Sequence, residues 1–333
     1  MPGGFGHTSR AMNAYLSHPV FELGSDRRTL ADAAAGNLLW SDAGVLAEAG
    51  FEIHHRAAER QSAYDLALAC ARKLSQALEG EGRSLKSTHV LLYATCLPVN
   101  ANCGRWEDFS SSGDVKHLLD YPASHLQSDL GMDDAIVIGL EQQACTSMLG
   151  AIRLAALFLA GEPSMSQAMC LTADRFPRGA RYEQAYNFIS DGAGAVLVSR
   201  EPTGFRVLAC HQITNGAMAR ASDDETVGFY FSYTQKLLEE TLAKAGMGVA
   251  DLAYIVAQNT NRKAWQILAA LLKFDYERVL MPTIGSVGHV ISGDNIVNLA
   301  HADAAGRFRP GDRVLLTMAG YGLNWQAVLL EKV

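Results

Sequence analysis

The chain has 333 residues, 49% of them hydrophobic and 19% charged, with 30 Gly, 9 Pro and a formal net charge of -7. That length and apolar fraction suit one large globule or two ordinary domains, and they exclude a stapled mini-protein and a largely disordered chain. The acidic balance, with no concentration of Lys and Arg, excludes the basic footprint of a nucleic-acid binder.

At the start of the chain, Met1 to Arg10 is Gly-rich and lacks a basic segment followed by an apolar one. It does not read as a secretory signal, so a cytoplasmic location is the default expectation. The helical spacing of Tyr64, Leu68, Ala71, Leu74 and Leu78 predicts a helix over Gln61 to Ala77, followed by a strand from Val90 to Thr95. Ala135 to Ile138 reads as a further strand, and Cys145 to Ala160 as a helix apolar on nearly every side. Such a helix belongs between layers, not on the surface. Its longest apolar run, Met148 to Ala160, contains Arg153 and falls short of a membrane span of about 20 residues, so no transmembrane helix is expected. After the break Gly161-Glu162-Pro163, Gln167 to Thr172 reads as a strand.

The same order returns in the second half. A helix is expected over Phe229 to Ala245, then strands at Tyr254 to Ala257 and around Val279 to Met281, a helix over Asp294 to Ala305, and a strand from Arg313 to Thr317. Two copies of helix, strand, buried helix and strand predict a pseudo-twofold α/β protein, with its boundary near Arg200 to Gly204 and halves 1–200 and 201–333. The N-termini of the two central helices would meet, bringing Cys145 towards His289 to Asp294.

Cys145, at the start of a buried helix, would feel the positive end of the helix dipole and the free N–H groups, both of which favour thiolate. The alternative is a small buried thiol, the reading given to Cys70, Cys96, Cys103, Cys170 and Cys210, which show no CxxC pairing. His289 and Asp294 are five residues apart, about 140° out of phase on a helix. Their pairing requires a turn, which Ser292 and Gly293 permit. Asp294 could then fix the imidazole tautomer and stabilise the imidazolium, or else serve only as a helix cap. Asp191-Gly192-Ala193-Gly194-Ala195-Val196 leads into a strand where a dinucleotide loop needs a helix, so its glycines are assigned to close packing or turns. His54, His55 and the isolated His7, His18, His89, His117, His125, His211 and His301 lack metal-ligand spacing, and neither a metal nor a bound cofactor is expected.

With these pieces in order, the sequence resembles the thiolase superfamily, most closely its β-ketoacyl-acyl-carrier-protein synthase III-like branch. The resemblance rests on Ala49 to Ile53 with Tyr64 to Ala67, Tyr93 to Thr95, Ala144-Cys145, Ser190 to Ala195, and Gly311-Asp312 leading to Gly320 to Trp325. It implies a five-layered αβαβα sandwich, a homodimer, an acyl thioester carried by acyl carrier protein or coenzyme A as substrate, and Cys145 as the acyl-accepting nucleophile. It also implies an oxyanion hole built from the backbone N–H groups of Cys145 and Tyr321.

Two positions depart from the family. Its usual histidine is replaced by Gln258, with Asn259 as a second possible auxiliary polar group, and its asparagine is replaced by His289. A glutamine can donate a hydrogen bond but cannot act as a base. Cys145, His289 and Asp294 are instead similar to the triad of synthase III-like acyltransferases of natural-product pathways, which implies transfer through acyl-Cys145 to an oxygen, nitrogen or sulfur acceptor. Decarboxylative carbon–carbon condensation and a non-catalytic subunit of a heterodimer are the alternatives. The family's nucleotide-binding arginine aligns with Glu48, which would repel phosphate and favour a carrier-protein donor. Pro98 to Asp120 is longer than its family counterpart and is expected to form a mobile loop near substrate or a dimer surface, or an ordinary surface insertion.

Overall fold

A computed structural model describes residues 13–333, so His7 and the Met1 to Arg10 segment lie outside it. The main sheet of the described residues has ten strands: β1 (Tyr15–Leu23), β2 (Val90–Ala94), β3 (Ile136–Leu140), β4 (Gln167–Asp174), β5 (Gly192–Ser199), β6 (Phe205–Thr214), β7 (Tyr254–Ala257), β8 (Val279–Leu280), β9 (Arg313–Gly320) and β10 (Asn324–Lys332). The helices that matter for the site are α1 (Ala63–Glu79), α2 (Ser147–Gly161), α3 (Asp223–Lys244), α4 (Arg262–Leu272) and α5 (Asp294–Ala304).

The strand order across the sheet is β8-β7-β9-β10-β6-β1-β5-β4-β2-β3. Each set of five repeats one pattern. In the first, β2 pairs in parallel with β3 and β4, while β5 is antiparallel to both β4 and β1. In the second, β7 is parallel to β8 and β9, while β10 is antiparallel to β9 and β6. The two sets touch edge to edge through Tyr15↔Arg206 and Leu16↔Phe205.

Strand alternation sorts the side chains into layers. Val90, Leu92, Ala94, Ala168 and Cys170 face Leu149, Ile152 and Ala156 of α2, in a core that also holds Ile296 and Leu299 of α5 and Val314, Leu316 and Val328 of the second set. Leu91, Tyr93, Met169 and Leu171 face the other way, onto Leu66, Cys70 and Leu74 of α1. Leu315, Ala327 and Leu329 likewise face Leu237, Leu238 and Leu242 of α3 and Trp265 and Leu268 of α4. The layers are therefore α1, sheet, α2 with α5, sheet, and α3 with α4, the αβαβα order expected from the resemblance.

Some expected boundaries shift. α1 begins two residues late because Ser62 caps it reciprocally with Asp65, and α3 begins at Asp223 because Ser222 forms the same capping box with Glu225. The stretch Ala144–Gly161 has a mean hydropathy of 1.6 and is long and apolar enough to cross a membrane by length and composition. It extends beyond the Met148 to Ala160 run, and its helix is the inner one of the sandwich, with Leu149, Ile152 and Leu159 all buried. Gly192 and Gly194 lie inside β5, where a Cβ would come within 2.6 Å of Val290 Cγ1 and 3.3 Å of Ile296 Cβ respectively. Close packing, not a turn, is what these glycines serve. Pro98 to Asp120 is not a bare loop but carries a helix, Trp106–Ser112, between two short 3-10 turns.

Candidate active site

Cys145 sits on a 3-10 turn, Ala144–Thr146, that runs directly into α2. Ala144 has φ 48°, a left-handed backbone that a Cβ makes costly. The second half repeats the feature, with Ile291 at φ 48° in the turn Ile291–Gly293 before α5. Positive φ at a β-branched residue is an outlier that only surrounding structure can hold. The two turns brace each other: Ser292 Oγ donates to Ala144 O at 3.3 Å and lies 2.9 Å from Ser147 Oγ. The bend between His289 and Asp294 is thus made at Ile291, whereas Gly293, the expected hinge, keeps φ -82°.

That bend brings His289 Nδ1 to 2.5 Å from Asp294 Oδ2. Asp294 is fully buried, and its carboxylate also accepts from Asn259 N and Val290 N, both at 2.6 Å. The imidazole is oriented by Nδ1, which leaves Nε2 as the nitrogen on offer to Cys145, whose thiol lines the same cavity. Burial opposes protonation of His289, but the charge and hydrogen bond of Asp294, with the Cys145 sulfur, outweigh it and hold the imidazolium up to about 10. Cys145 is held below the ordinary thiol range, first by a hydrogen bond from the Cys96 thiol, 3.9 Å away, and then by His289, against the opposing effect of burial. Cys96 moves the opposite way, upward, because it keeps the proton the pair shares. Both shifts favour a thiolate–imidazolium pair backed by a carboxylate.

Gly320, the last residue of β9, lies against the Cys145 turn: a Cβ there would fall 2.9 Å from Cys145 N and 3.1 Å from Ala144 Cβ. Only glycine permits this approach, which brings the turn after β9 to the Cys145 backbone. Tyr321 lines the cavity beside it, and the positive φ of the turn falls on Gly322, at 94°. Gln258 Oε1 accepts from Ala319 N at 2.5 Å, so its carboxamide NH₂ is the end left for the cavity it lines. Asn259 is not on the cavity wall. Its Nδ2 donates to Thr283 Oγ1 and Gly288 O at 2.9 and 2.7 Å, and its Oδ1 accepts from Asn298 at 2.9 Å. It positions Asp294 through its own N–H and has no amide group left for a substrate.

The cavity over these groups measures about 670 Å³. Phe176, Ile189, Ile291 and Leu97 form its wall near the sulfur, while Thr226, Tyr230, Asn261 and Lys263 lie on its α3 and α4 side. No residue of Pro98 to Asp120 contributes to it. Lys263 Nζ is 2.8 Å from Glu48 Oε2, so the charge assigned to repel phosphate is neutralised by its neighbour. Among the described residues, no group of three or more His, Cys, Asp or Glu is placed to hold a metal.

Sequence reasoning missed Cys96 and the carboxylate beneath it. Asp174 accepts from Thr95 Oγ1 at 2.6 Å, Cys96 N at 3.0 Å and Leu97 N at 3.1 Å, fixing the turn after β2. Burial pushes Asp174 up to about 6. The available signal was position: Cys96 follows the carboxyl end of a parallel strand, where α/β sheets gather their ligands.

The 3-oxoacyl-[acyl-carrier-protein] synthase III family description matches residues 141–216, and its C-terminal counterpart matches residues 242–332. The β-ketoacyl-[acyl-carrier-protein] synthase III of Rhizorhabdus wittichii is 26% identical over 312 residues, covering 87% of this chain and 91% of that protein. A synthase III of Streptomyces coelicolor is 39% identical over 92 residues, 28% of this chain and 27% of its own. Among solved structures, the synthase III of Aquifex aeolicus superposes with a TM-score of 0.77 at 20% identity, covering 96% of this chain and 99% of that one. ChlB3, described as an acyltransferase, does so at 0.79 and 19% identity, covering 96% and 98%. The chain belongs to the 3-oxoacyl-[acyl-carrier-protein] synthase III family of acyl-transferring enzymes.

Proposed function

We propose that the protein transfers an acyl group from a carrier-protein or coenzyme A thioester, through an acyl-Cys145 intermediate, to an oxygen, nitrogen or sulfur acceptor of secondary metabolism. The observation that carries this reading is the 2.5 Å pairing of His289 with a buried carboxylate. Decarboxylative condensation makes its carbon nucleophile by losing carbon dioxide and has no acceptor proton to remove. A protic acceptor has one, and a carboxylate-backed imidazole is the group that takes it.

In the first half-reaction the Cys145 thiolate attacks the thioester carbonyl. The N–H groups of Cys145 and Tyr321 are assigned to the oxyanion, with the Gln258 NH₂ as a further donor on the same wall. Collapse expels the carrier thiolate, which takes the His289 proton. In the second half, neutral His289 removes the acceptor's proton as it attacks acyl-Cys145, and the returning thiolate restores the pair. The relatives are named for acyl carrier protein, and we assign a carrier protein as donor partner on that basis, with coenzyme A kept open by the neutralised Glu48.

We further assign a homodimer. β3 is an edge strand of the sheet, with Ile136 and Val137 46% and 38% exposed, and an apolar edge is a ready template for pairing with a second copy. The test of the transfer reading is intact-mass analysis of the protein with acyl thioesters. An acyl adduct on Cys145 that persists in His289→Ala while transfer is lost supports it, and release of label only with malonyl-carrier decarboxylation overturns it in favour of condensation.

A further inference from the structure

The six cysteines are all free, yet two of them are in contact. Cys96 Sγ lies 3.9 Å from Cys145 Sγ, and both residues line the cavity, within reach of a small solute. The contact is held from both sides. Asp174 accepts from the backbone N–H of Cys96 and Leu97 and from Thr95 Oγ1, and the turn carrying Cys145 is braced by Ser292 and packed on Gly320. Closing the gap to a bond of about 2.0 Å needs a side-chain movement of under 2 Å or so, within what rotation about χ1 supplies. The transfer reaction described above uses one sulfur only.

We propose that Cys96 and Cys145 are a redox modification site: a peroxide oxidises Cys145, Cys96 resolves it as a disulfide, and the nucleophile is reversibly shut off and protected. The Cys145 thiolate attacks the peroxide O–O bond to give a sulfenic acid and hydroxide. The Cys96 thiol then displaces that oxygen as water, so two thiols lose two electrons and two protons to one peroxide. Without a neighbouring thiol the sulfenic acid proceeds to sulfinic and sulfonic acids, which a dithiol does not reverse. Cys145 is the thiol that starts the sequence, because burial raises Cys70, Cys103, Cys170 and Cys210 above the ordinary thiol range. The proposal rests on the acyl-transfer reading only for what is switched off. The bond itself is independent of it.

The test uses the full chain with Cys103→Ala, since Cys103 shares a tryptic peptide, Ser87–Arg105, with Cys96. The protein is treated with a few equivalents of hydrogen peroxide, blocked with iodoacetamide, and mapped without reduction. The expected result is peptide Ser87–Arg105 joined to His117–Arg153, with the mass of the pair less two hydrogens, and near-complete return of Cys145 alkylation after dithiothreitol. Adding Cys96→Ala should convert the same treatment to irreversible loss, with sulfinic or sulfonic acid on Cys145. Sulfinic acid on Cys145 with no cross-linked peptide when Cys96 is present would overturn the proposal, as would equal dithiothreitol recovery with and without Cys96. A cross-link in a protein that accepts no acyl group would instead leave this inference standing and remove the acyl-transfer reading.

Discussion

Replacing Asp294 by Asn tests whether the carboxylate works through His289. Asp294 Oδ2 takes His289 Nδ1 at 2.5 Å and Asn259 N at 2.6 Å, while Oδ1 takes Val290 N at 2.6 Å. A carboxamide has one acceptor oxygen, so its NH₂ must face either the Val290 N–H or the imidazole. In both cases the negative charge is gone and burial is opposed by the Cys145 sulfur without the carboxylate, so the imidazole resists protonation more strongly. A hydrogen bond to a charged group contributes about 1.5–3 kcal/mol. Transfer from acyl-Cys145 should therefore slow roughly 10- to 150-fold. Iodoacetamide alkylation of Cys145 against pH reads the second consequence. The inflection, held below the ordinary thiol value in the wild type, should rise by about 1 to 2 pH units. The direction is diagnostic, because the Asp294 charge taken alone disfavours the thiolate. Acting independently of His289, its removal would move the inflection down. A fall, or an unchanged profile with transfer within about 2-fold of wild type, would refute the coupling.

Three further outcomes are expected. Gly320→Ala drives a Cβ to 2.9 Å from Cys145 N, and such overpacking against backbone costs about 1–3 kcal/mol; calorimetry should show a lowered Tm, with acylation of Cys145 slowed by more than about 10-fold. His54 is fully buried, donates from Nδ1 to Ile189 O, and is held down to about 4 by burial. The unfolded chain binds its proton first, so stability is lost as pH falls below about 6.5, by roughly 2 kcal/mol between about pH 7 and pH 5. Urea unfolding of His54→Phe, which keeps a ring against Phe188, should show that loss reduced, and an equal loss in both proteins would show that another group is responsible. Val137→Lys on the β3 edge should convert a dimer to a monomer in light scattering, and an unaltered mass would place the interface elsewhere.

The layered fold was legible because its signal is local. The spacing of Tyr64 to Leu78, the run Val90 to Thr95 and the all-round apolar α2 each follow from a single period and a single burial environment. β1 was not read as a strand, since its pairing with β5 shifts register between Ser17 and Val20, with His18 at φ 54°, which breaks the alternation. β10 buries its first seven residues on both faces, so it shows no alternation at all. Of the site, Cys145, His289 and Asp294 were visible from their places before the two inner helices. Cys96 and Asp174 were not, because their contacts span 49 and 78 residues and depend on which strands become neighbours. The role of Asn259 was hidden for the same reason: its polar atoms meet partners 24 to 39 residues away. Intrinsic preference points to Ser292 and Gly293 for the turn, and tertiary packing places the positive φ at Ile291 instead.

Intact-mass analysis with a panel of acyl thioesters, on carrier protein and on coenzyme A, followed by a chase with hydroxyl, amine and thiol acceptors, tests the central claim most directly. The account predicts one acyl adduct, mapped to Cys145, that is discharged onto a protic acceptor in wild-type protein and remains stalled in His289→Ala. An adduct on another residue, no adduct from any thioester, or discharge that occurs only with loss of carbon dioxide from a malonyl carrier would contradict it.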